Sequence, residues 1–534
     1  MISIPAKIPW LAACGLTAAL VYFAMRLVSH RRFYRHLPGP PHSLFWGHLK
    51  ILGEYLKKMP PDSYMQAALT QMKQDYDLPD LFYLDLWPLG PRFIICSSPD
   101  AAAIPTTVTP FAQSHLVTQF FAGNIGTSFI EATNGPLWKE LHQMLAPGLT
   151  PSAVKTYRDI YVEEALLLHD RLQHMAKVGS TVDMNTELGK YPFEVVSRIF
   201  FGERLNAQTT GSQIYEAVKE AADITGVLVA SNNPITKWLA TRKVKGILAR
   251  VDRDIEILVR ARYSVLQKQK VLPTRTNATS LLDRMLLAQA QSGQPISRRL
   301  MTLILENAKG FLAAGYGTTA DTSSYMFMLL AAFPHVLQKL REEHDRVYDK
   351  DFNKTHQMLH RNPALIKDLE YTTAVIHETL RMFSIGMLVR QPPADLTSIE
   401  YKGKNYPVKD HVFGVAAHAI HYDPAVFDDV KNFKPERFLP DEPTFPRNGF
   451  RPFERGLRSC IGQNIAMDEM KIILVTIARW FDFELRDHQP VKAPRLSHTD
   501  LDTKIGIHAY QYSRFSAGPH GPVNMKVRLA PREE

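Results

Sequence analysis

Apolar residues recur at helical spacing over most of the chain, whereas a few short runs have the composition of strands. The helical pattern predicts helices over residues 157–175, 244–269, 298–333, 334–348, 368–383 and 463–480. Aromatic and β-branched runs at residues 82–86 and 92–97, joined by Pro-Leu-Gly-Pro, predict one β-hairpin, and residues 401–406 predict another. The sequence therefore predicts a mainly α protein with a small β region.

The N-terminal apolar run has a different character, because residues 8–25 contain no charged side chain. With Leu27 and Val28 the run is long enough to span a bilayer as a helix. Basic residues follow it directly, at Arg26, Arg31, Arg32 and Arg35. By the positive-inside rule, this order leaves the bulk of the chain in the cytoplasm. A short hydrophobic core helix is the alternative interpretation.

A proline-rich segment, Leu37-Pro38-Gly39-Pro40-Pro41, comes next and predicts a stiff connector. We therefore expect two parts. Residues 1–36 form a signal-anchor helix with a basic juxtamembrane stretch, and residues 37–534 form a single catalytic domain.

Composition narrows the classes of partner. The chain has 534 residues, is 45% hydrophobic and 22% charged, and carries a net charge of +10. The positive charge is diffuse, with no basic helix carrying interleaved aromatics, so we expect no nucleic-acid partner. An anionic membrane surface or an acidic protein fits better. The three cysteines, Cys14, Cys96 and Cys460, are far apart and suggest neither a disulfide framework nor a zinc cluster.

The most informative stretch surrounds Cys460. A thiolate framed by an aromatic, two glycines and an arginine suits axial ligation of a haem iron. Phe453 can cover the sulfur, and Gly456 allows a tight backbone turn beneath a flat macrocycle. Arg458 can pair with a haem propionate. Gly462 precedes a predicted helix whose N–H groups favour a negative sulfur. A buried structural cysteine is the alternative.

This run resembles the haem-binding signature of the cytochrome P-450 superfamily, Phe-x-x-Gly-x-Arg-x-Cys-x-Gly, at every fixed position. The resemblance implies the single-domain fold of that superfamily from about residue 37 onward. It also implies haem (iron protoporphyrin IX) as the cofactor, with Cys460 as the metal ligand. Phe453, Gly456, Arg458 and Gly462 are then further cofactor-binding residues.

A second candidate region lies in the predicted helix over residues 298–333. Ala313-Ala314-Gly315-Tyr316-Gly317-Thr318-Thr319 places two glycines in one helical turn, which weakens that turn and can open a groove over a flat ligand. A glycine-containing packing contact is the alternative. The run resembles the superfamily's oxygen-site pattern, which implies catalytic roles for Thr318 and Thr319. Gly317 departs from it, because an acid that relays protons is usual there.

Two more sets of residues resemble superfamily motifs. Glu378 and Arg381 share one helix face, and Arg437 in Pro-Glu-Arg-Phe completes the buried structural triad that the resemblance implies. Residues 138–142 resemble Trp-x-x-x-Arg, whose ends reach a haem propionate. Here Trp138 is present but His142 replaces the arginine, so the fixed charge is lost. Arg390 is a further propionate candidate.

The resemblance implies a membrane-anchored haem-thiolate monooxygenase of the endoplasmic reticulum, most like fungal members that tailor secondary metabolites. No flavin or nicotinamide fingerprint is present, so a separate NADPH-dependent cytochrome P-450 reductase is the expected electron donor. Residues 111–134, 311–314 and 385–388 are expected to touch substrate, and their aromatic and aliphatic side chains predict an apolar one. Gly317 keeps open a haem-thiolate isomerase or dehydratase that uses no external oxygen. A non-catalytic haem sensor would need an output domain that the sequence does not suggest.

Overall fold

The computed structural model describes residues 7–231, 233–274, 278–441, 444–489 and 499–531, of which residues 7–13, 229 and 230 are described by their backbone alone. The helices in chain order are α1 Lys7–Tyr34, α2 Leu49–Leu56, α3 Met65–Asp75, α4 Pro99–Ala103, α5 His115–Asn124, α6 Gly135–Leu145, α7 Pro151–Val154, α8 Arg158–Val178, α9 Met184–Phe201, α10 Gln213–Ala230, α11 Pro234–Lys268, α12 Leu281–Ser292, α13 Arg298–Ala332, α14 Pro334–Val347, α15 Phe352–Arg361, α16 Glu370–Met382, α17 Ala417–His421, α18 Gln463–Ile473 and α19 Asp502–Ile505.

The strands are short and far fewer in residues than the helices. They are β1 Leu81–Asp85, β2 Arg92–Cys96, β3 Ala112–Gln113, β4 Thr181–Asp183, β5 Leu388–Gln391, β6 Ser398–Tyr401, β7 Lys404–Pro407, β8 Val412–Val415, β9 Phe481–Leu485, β10 Gln511–Ser513, β11 Ala517–Pro519 and β12 Asn524–Leu529. A five-stranded sheet has the order β1-β2-β8-β5-β3, and a three-stranded sheet has the order β4-β12-β9. The pairs β6–β7 and β10–β11 form separate hairpins.

The predicted elements exist, with shifted ends. The hairpin predicted over residues 82–97 is the antiparallel pair β1–β2, with Leu81 opposite Cys96. The helix predicted from residue 244 begins ten residues earlier, at Pro234, where Asn233 caps it. The predicted end of the helix over residues 463–480 is wrong. The α-helix α18 stops at Ile473, and a π-helical turn, Leu474–Ala478, follows it.

The long helix α13 lies at the centre of the fold. It packs along α9 and also contacts α16 and α18, so a single helix joins several layers. Tyr325 on α13 stacks on Phe383, directly after α16, with ring centroids 3.7 Å apart. Both rings are buried. This packing fixes α13 relative to the loops that follow α16 and precede α18.

The end of α1 contacts the five-stranded sheet. The buried Arg31 forms an ion pair with Asp85 at the end of β1, and His30 Nε2 lies 2.9 Å from the same carboxylate. The hydroxyl of Tyr34 lies 2.9 Å from Nε2 of His411. Arg31 is therefore a buried partner of the body and not a free surface cation. Within the described residues, no helix combines the length and the apolar character that crossing a membrane requires.

Candidate functional site

The loop before α18 is built around Cys460. Gly456 adopts a left-handed φ of +85°, and a side chain there would collide with the backbone carbonyl of Thr106. The amide of Ser459 donates to the carbonyl of Gly456 at 3.0 Å, and that of Cys460 donates to the carbonyl of Phe453 at 2.9 Å. The loop is therefore a tight turn that only glycine permits at position 456.

Two effects act in opposite directions on the pKa of the Cys460 thiol. Burial raises the pKa of the Cys460 thiol to about 11, while the amides of Gly462 and Gln463 act in the opposite direction by hydrogen bonding. Hydrogen bonds from a helix start stabilise the negative form of a ligand atom. The start of α18 therefore supplies dipoles that favour a thiolate at this position.

A cavity of about 390 Å³ lies between this loop, α13, α18 and β5. Cys460 opens onto it, and so do the oxygen-site residues Thr318 and Thr319 on α13. Most of its remaining wall is apolar, with contributions from Val117, Phe121, Phe129, Ile130, Leu149, Val196, Phe311, Ala314, Ile385, Met387, Leu388 and Val389. The three segments expected to touch substrate therefore meet in one cavity. The buried Phe111 does not line it and packs on Phe413 instead.

Arg458 marks a charged edge of the cavity. Its guanidinium lies over the indole of Trp138, with Cζ 4.2 Å from the ring centroid, and Nη2 donates to the carbonyl of Thr133 at 2.7 Å. Nη1 of Arg458 is buried and finds no acceptor within the described parts of the chain. Its burial lowers the pKa of Arg458 to about 10. An anionic group would satisfy this cation.

Trp138 and His142 lie one turn apart on α6 and contact each other with tilted rings, whose centroids are 4.8 Å apart and whose planes meet at 37°. Burial, followed by the charge of Arg458, lowers the pKa of His142 and favours its neutral form. Arg390 is buried behind this edge, where Nη1 donates to Gln113 and Nη2 donates to the carbonyl of Arg458 at 3.4 Å. Arg390 thus supports the Arg458 loop, and it does not line the cavity.

The residues of this region fit a haem. The backbone can approach closely at Gly456, and the sulfur of Cys460 opens onto the cavity. Two buried guanidinium nitrogens, Nη1 of Arg458 and Nη1 of Arg451, have no acceptor among the residues that the structure describes. A flat anionic macrocycle supplies both the shape and the carboxylates that such an edge needs.

The oxygen-site region of α13 remains helical throughout. The hydroxyl of Thr318 donates to the carbonyl of Ala314 at 2.8 Å within this continuous helix. The groove expected over a flat ligand stays a prediction. Close packing between α13 and α9 requires glycine at position 315, since a Cβ there would lie 2.6 Å from Cγ2 of Val196 on α9. A Cβ at Gly317 would meet Ser516 Oγ at 3.5 Å. The two glycines therefore have different surroundings.

Glu378, Arg381 and Arg437 lie together and are all buried. Two nitrogens of Arg381 donate to the Glu378 carboxylate, at 2.7 and 2.8 Å. Nε of Arg437 lies 3.0 Å from Oε2 of Glu378, although its N–H does not align as a hydrogen bond. Arg437 also donates to the carbonyls of Asp428 and Asp429. The three side chains thus tie α16 to the segment after α17.

Sequence reasoning missed three acids at the cavity, of which Glu469 is buried and the other two are half-buried. Glu131, Glu454 and Glu469 all line it, and burial raises the pKa of each. The charges of Arg390 and Arg458 act against this rise at Glu131, and the hydroxyl of Thr319 does so at Glu469. An isolated glutamate in a sequence gives no signal of burial, so these positions required the fold.

Comparison with known proteins identifies the family. A family model described as Cytochrome P450 matches residues 38–512. The chain is 28% identical over 528 residues to the cytochrome P450 monooxygenase ptmJ of Penicillium ochrochloron, covering 98% of this chain and 97% of that protein. It is 29% identical to the cytochrome P450 monooxygenase acrF of Aspergillus aculeatus, and the match covers 88% of this chain and 98% of that protein.

A solved structure shows the same fold. The crystal structure of the cytochrome P450DA heme domain superposes with a TM-score of 0.71 at 20% sequence identity, covering 93% of this chain and 97% of that chain. The resemblance seen in the sequence, the mainly helical fold with small sheets and the haem-thiolate cofactor are therefore confirmed.

Proposed function

The chain belongs to the cytochrome P450 family of haem-thiolate monooxygenases, and we propose that it inserts one oxygen atom from dioxygen into an apolar substrate by hydroxylation, epoxidation or a related oxidation. The observation that carries this proposal is the cavity in which Cys460, Thr318 and a largely apolar wall meet. An apolar wall with a few placed polar groups is the usual form of a small-molecule site.

We assign the haem-binding roles as follows. The sulfur of Cys460 would hold the haem iron, and haem held by a thiolate would supply dioxygen activation. Phe453 shields the sulfur, while Gly456 and Gly462 keep the backbone close. Arg458, supported by Arg390 and stacked on Trp138, would hold a propionate through its Nη1. The neutral ring of His142 adds one hydrogen-bond donor on the same helix.

The remaining cavity residues orient the substrate and exclude water. Phe121, Phe129 and Phe311 present aromatic surface, and Ile385 and Leu388 present aliphatic surface. Such a wall offers little to a charged substrate, because burying an unpaired charge costs on the order of several kcal/mol. The site therefore suits an apolar compound such as a terpenoid or a polyketide.

Thr318 and Thr319 are the catalytic candidates on α13. The hydroxyl of Thr318 faces the cavity and donates to the carbonyl of Ala314, so its oxygen can accept a hydrogen bond there, and it can donate into the cavity only when it turns away from Ala314. Thr319 lies beside Glu469, and its hydroxyl interacts with that carboxyl group. We expect Thr318 to make the closer contribution to the reaction.

The electrons come from an NADPH-dependent cytochrome P-450 reductase.

The enzyme is anchored to the endoplasmic reticulum membrane by residues 8–28. Support comes from the charge-free run of residues 8–25 and from the exposed Arg26, Arg32 and Arg35 that follow it. In this topology the body is cytoplasmic. Protease added to intact microsomes should digest it. Protection of the body, or a glycan on Asn353 or on Asn277, which lies outside the described residues, would overturn the topology.

The pathway is proposed from relatives. The most similar proteins found include monooxygenases of Penicillium and Aspergillus species. We propose that this enzyme likewise acts in a fungal secondary-metabolite pathway. Deleting the gene should cause a less oxidised precursor to accumulate, and an unchanged metabolite profile would argue against this role.

Gly317 supports a second candidate function, a haem-thiolate isomerase or dehydratase, because the usual acid of the oxygen site is absent. The two functions are separated by supplying reductase, NADPH and dioxygen to the purified enzyme. A monooxygenase consumes NADPH and oxygen and forms a product heavier by one oxygen atom. Conversion of substrate without oxygen uptake would favour the second function.

A further inference from the structure

The flank of α13 beside Gly317 contains a buried acid and a hydroxyl that no role described above uses. Asp321 lies one helical turn after Gly317 and is only 4% exposed. The hydroxyl of Ser516, in the turn between β10 and β11, donates to Oδ2 of Asp321 at 2.5 Å. Nδ2 of Asn185 on α9 donates to Oδ1 at 3.2 Å. Both carboxylate oxygens are therefore engaged.

Ser516 also lies beside the position where the usual acid is missing. A Cβ built at Gly317 would lie 3.5 Å from Ser516 Oγ, and no other described atom comes within 4 Å of that point apart from the neighbouring residues and backbone of α13 itself. The space that a residue with a side chain would fill at position 317 therefore opens toward the Ser516 hydroxyl. One turn of helix separates this space from Asp321 along the same flank.

The residues on either side of Ser516 fix it to the cavity wall. The ring of Phe515 packs against Phe121, with centroids 5.9 Å apart, and the amide of Ala517 donates to the carbonyl of Ile385 at 3.1 Å. Phe121 and Ile385 both line the cavity. The turn that carries Ser516 therefore adjoins the cavity wall, although Ser516, Gly317 and Asp321 do not themselves line the cavity.

A partly exposed ion pair lies near Asp321 on the side of α10. Arg514, two residues before Ser516, lies 3.6 Å from the carboxylate of Asp223 on α10, whose side chain is 54% exposed. Burial raises the pKa of Asp321, which favours its protonated form, while the Ser516 hydrogen bond and the charge of Arg514 act in the opposite direction. The charges of Arg514 and Asp223 both act on the buried Asp321 carboxyl group, so a partly exposed ion pair lies near it.

We propose that Asp321 and Ser516 form a proton-holding pair that serves the oxygen site from the flank that Gly317 leaves open. The inference rests on the proposed monooxygenase function. In the transfer, Asp321 is protonated and donates from Oδ2 to Ser516 Oγ, the reverse of the hydrogen bond described above, while the Ser516 hydroxyl turns to donate to a water beside Gly317. The Ser516 proton then moves to that water, and the Asp321 proton moves to Ser516 Oγ. The Asp321 carboxylate then regains a proton from solvent, so charge and protons balance over one cycle. Asp321 and Ser516 are positioning residues that supply protons through Thr318 and water.

The first measurement does not depend on haem. Infrared difference spectra of the apoprotein should show that Asp321→Asn removes one carboxylic acid C=O band, and that this band shifts in D₂O. Ser516→Ala should displace the band, and Ser516→Thr, which keeps a hydroxyl, should restore it. Glu194→Gln is the matched control, because Glu194 is also buried, burial also raises its pKa, and it does not line the cavity. If Asp321→Asn kept every carboxylic acid C=O band of the wild type, the proposal would be overturned.

The second measurement uses the full-length holoenzyme with reductase, NADPH and dioxygen as the only substrate. Proton delivery is needed to reduce dioxygen to water, so Asp321→Asn and Ser516→Ala should raise the share of NADPH that ends in hydrogen peroxide by several-fold. Ser516→Thr and Glu194→Gln should keep the wild-type share. If Asp321→Asn leaves the peroxide share of NADPH unchanged, or if Glu194→Gln raises it equally, the role of Asp321 and Ser516 is refuted while the proposed monooxygenase function stands. Wild-type protein that takes up no oxygen refutes the proposed function, and the relay with it.

Discussion

Nε2 of the buried His421 accepts a hydrogen bond from the backbone amide of Arg451 at 3.0 Å. Because that amide can only donate, the neutral ring carries its proton on Nδ1, which lies 3.1 Å from the carbonyl of Arg381. A single imidazole thus joins the Glu378–Arg381 pair to the loop that leads to Cys460. Protonating Nε2 would break the contact with Arg451.

This geometry predicts a pH dependence of stability. Burial, followed by the positive charges of Arg381 and Arg451, lowers the pKa of His421 to about 3. Since the unfolded state takes up a proton near pH 6.5 and the folded state does not, stability is full above pH 6.5 and falls as the pH drops toward 3. Between pH 7.5 and 5.5, His421 should account for about 1.4 kcal/mol of the loss.

Urea unfolding of wild type and His421→Gln at the two pH values measures this difference. The variant should be less stable overall but should lose less stability on acidification. His36→Gln, which removes an exposed histidine, is the control and should follow the wild type. A His421→Gln variant with the same pH dependence as wild type would contradict the assignment.

Cys460→Ser should abolish the red-shifted Soret band of the reduced carbon monoxide complex. A serine oxygen is a harder ligand and cannot supply the thiolate that produces this band. Cys14→Ser is the control, since Cys14 lies on α1, far in sequence from the loop, and its side chain is exposed. If Cys460→Ser kept the band, another residue would be the ligand.

The sequence predicted the helices and the positions of the motifs, because helical period and fixed spacings are local signals. It did not predict that Arg31 is buried against Asp85, since four neighbouring arginines look alike in a sequence. It also missed Ser516, which lies 195 residues from Asp321 and meets it only after β10 and β11 fold back onto α13. Contacts of this kind depend on packing between distant elements, which the hydrophobic pattern does not encode.

The buried triad should contribute strongly to stability. Glu378→Gln keeps the volume but leaves the buried guanidinium groups of Arg381 and Arg437 without their shared anion. Removing one partner of a buried ion pair costs about 3–5 kcal/mol, so holoenzyme yield and thermal midpoint should both fall. The exposed pair of Arg260 with Glu256 is a control, because Arg260→Gln should cost about 0.5 kcal/mol or less. Equal effects of the two substitutions would refute a structural role for the triad.

Arg458→Lys should weaken haem retention. Lysine keeps the charge but lacks the planar fork that stacks on Trp138 and donates to the carbonyl of Thr133. Losing one charged hydrogen bond, worth about 1.5–3 kcal/mol, corresponds to a rise of about tenfold to a hundredfold in haem dissociation. Transfer of haem to a scavenging apoprotein measures this rate. Arg299→Gln, which removes an exposed arginine that pairs with Glu140 on α6, should leave it unchanged.

Docking of the reductase should depend on Lys139, which is exposed on α6 next to the buried Trp138. Arg455, the other residue expected on this face, is only half exposed, and two of its nitrogens donate to the carbonyl of Phe450. Its charge is therefore less available to a partner, and Lys139 should carry the larger effect.

Lys139→Glu should slow the first electron transfer while leaving the carbon monoxide spectrum intact. If the reductase presents an acidic surface, the attraction acts over roughly a Debye length of 10 Å at 0.1 M salt, so the defect should be largest at low ionic strength and shrink as salt rises. Stopped-flow reduction with purified reductase over a range of salt concentrations measures the effect. Lys404→Glu, on the separate β6–β7 hairpin, is the matched charge reversal and should behave as wild type. A Lys139→Glu protein reduced at the wild-type rate in low salt would remove this residue from the docking surface.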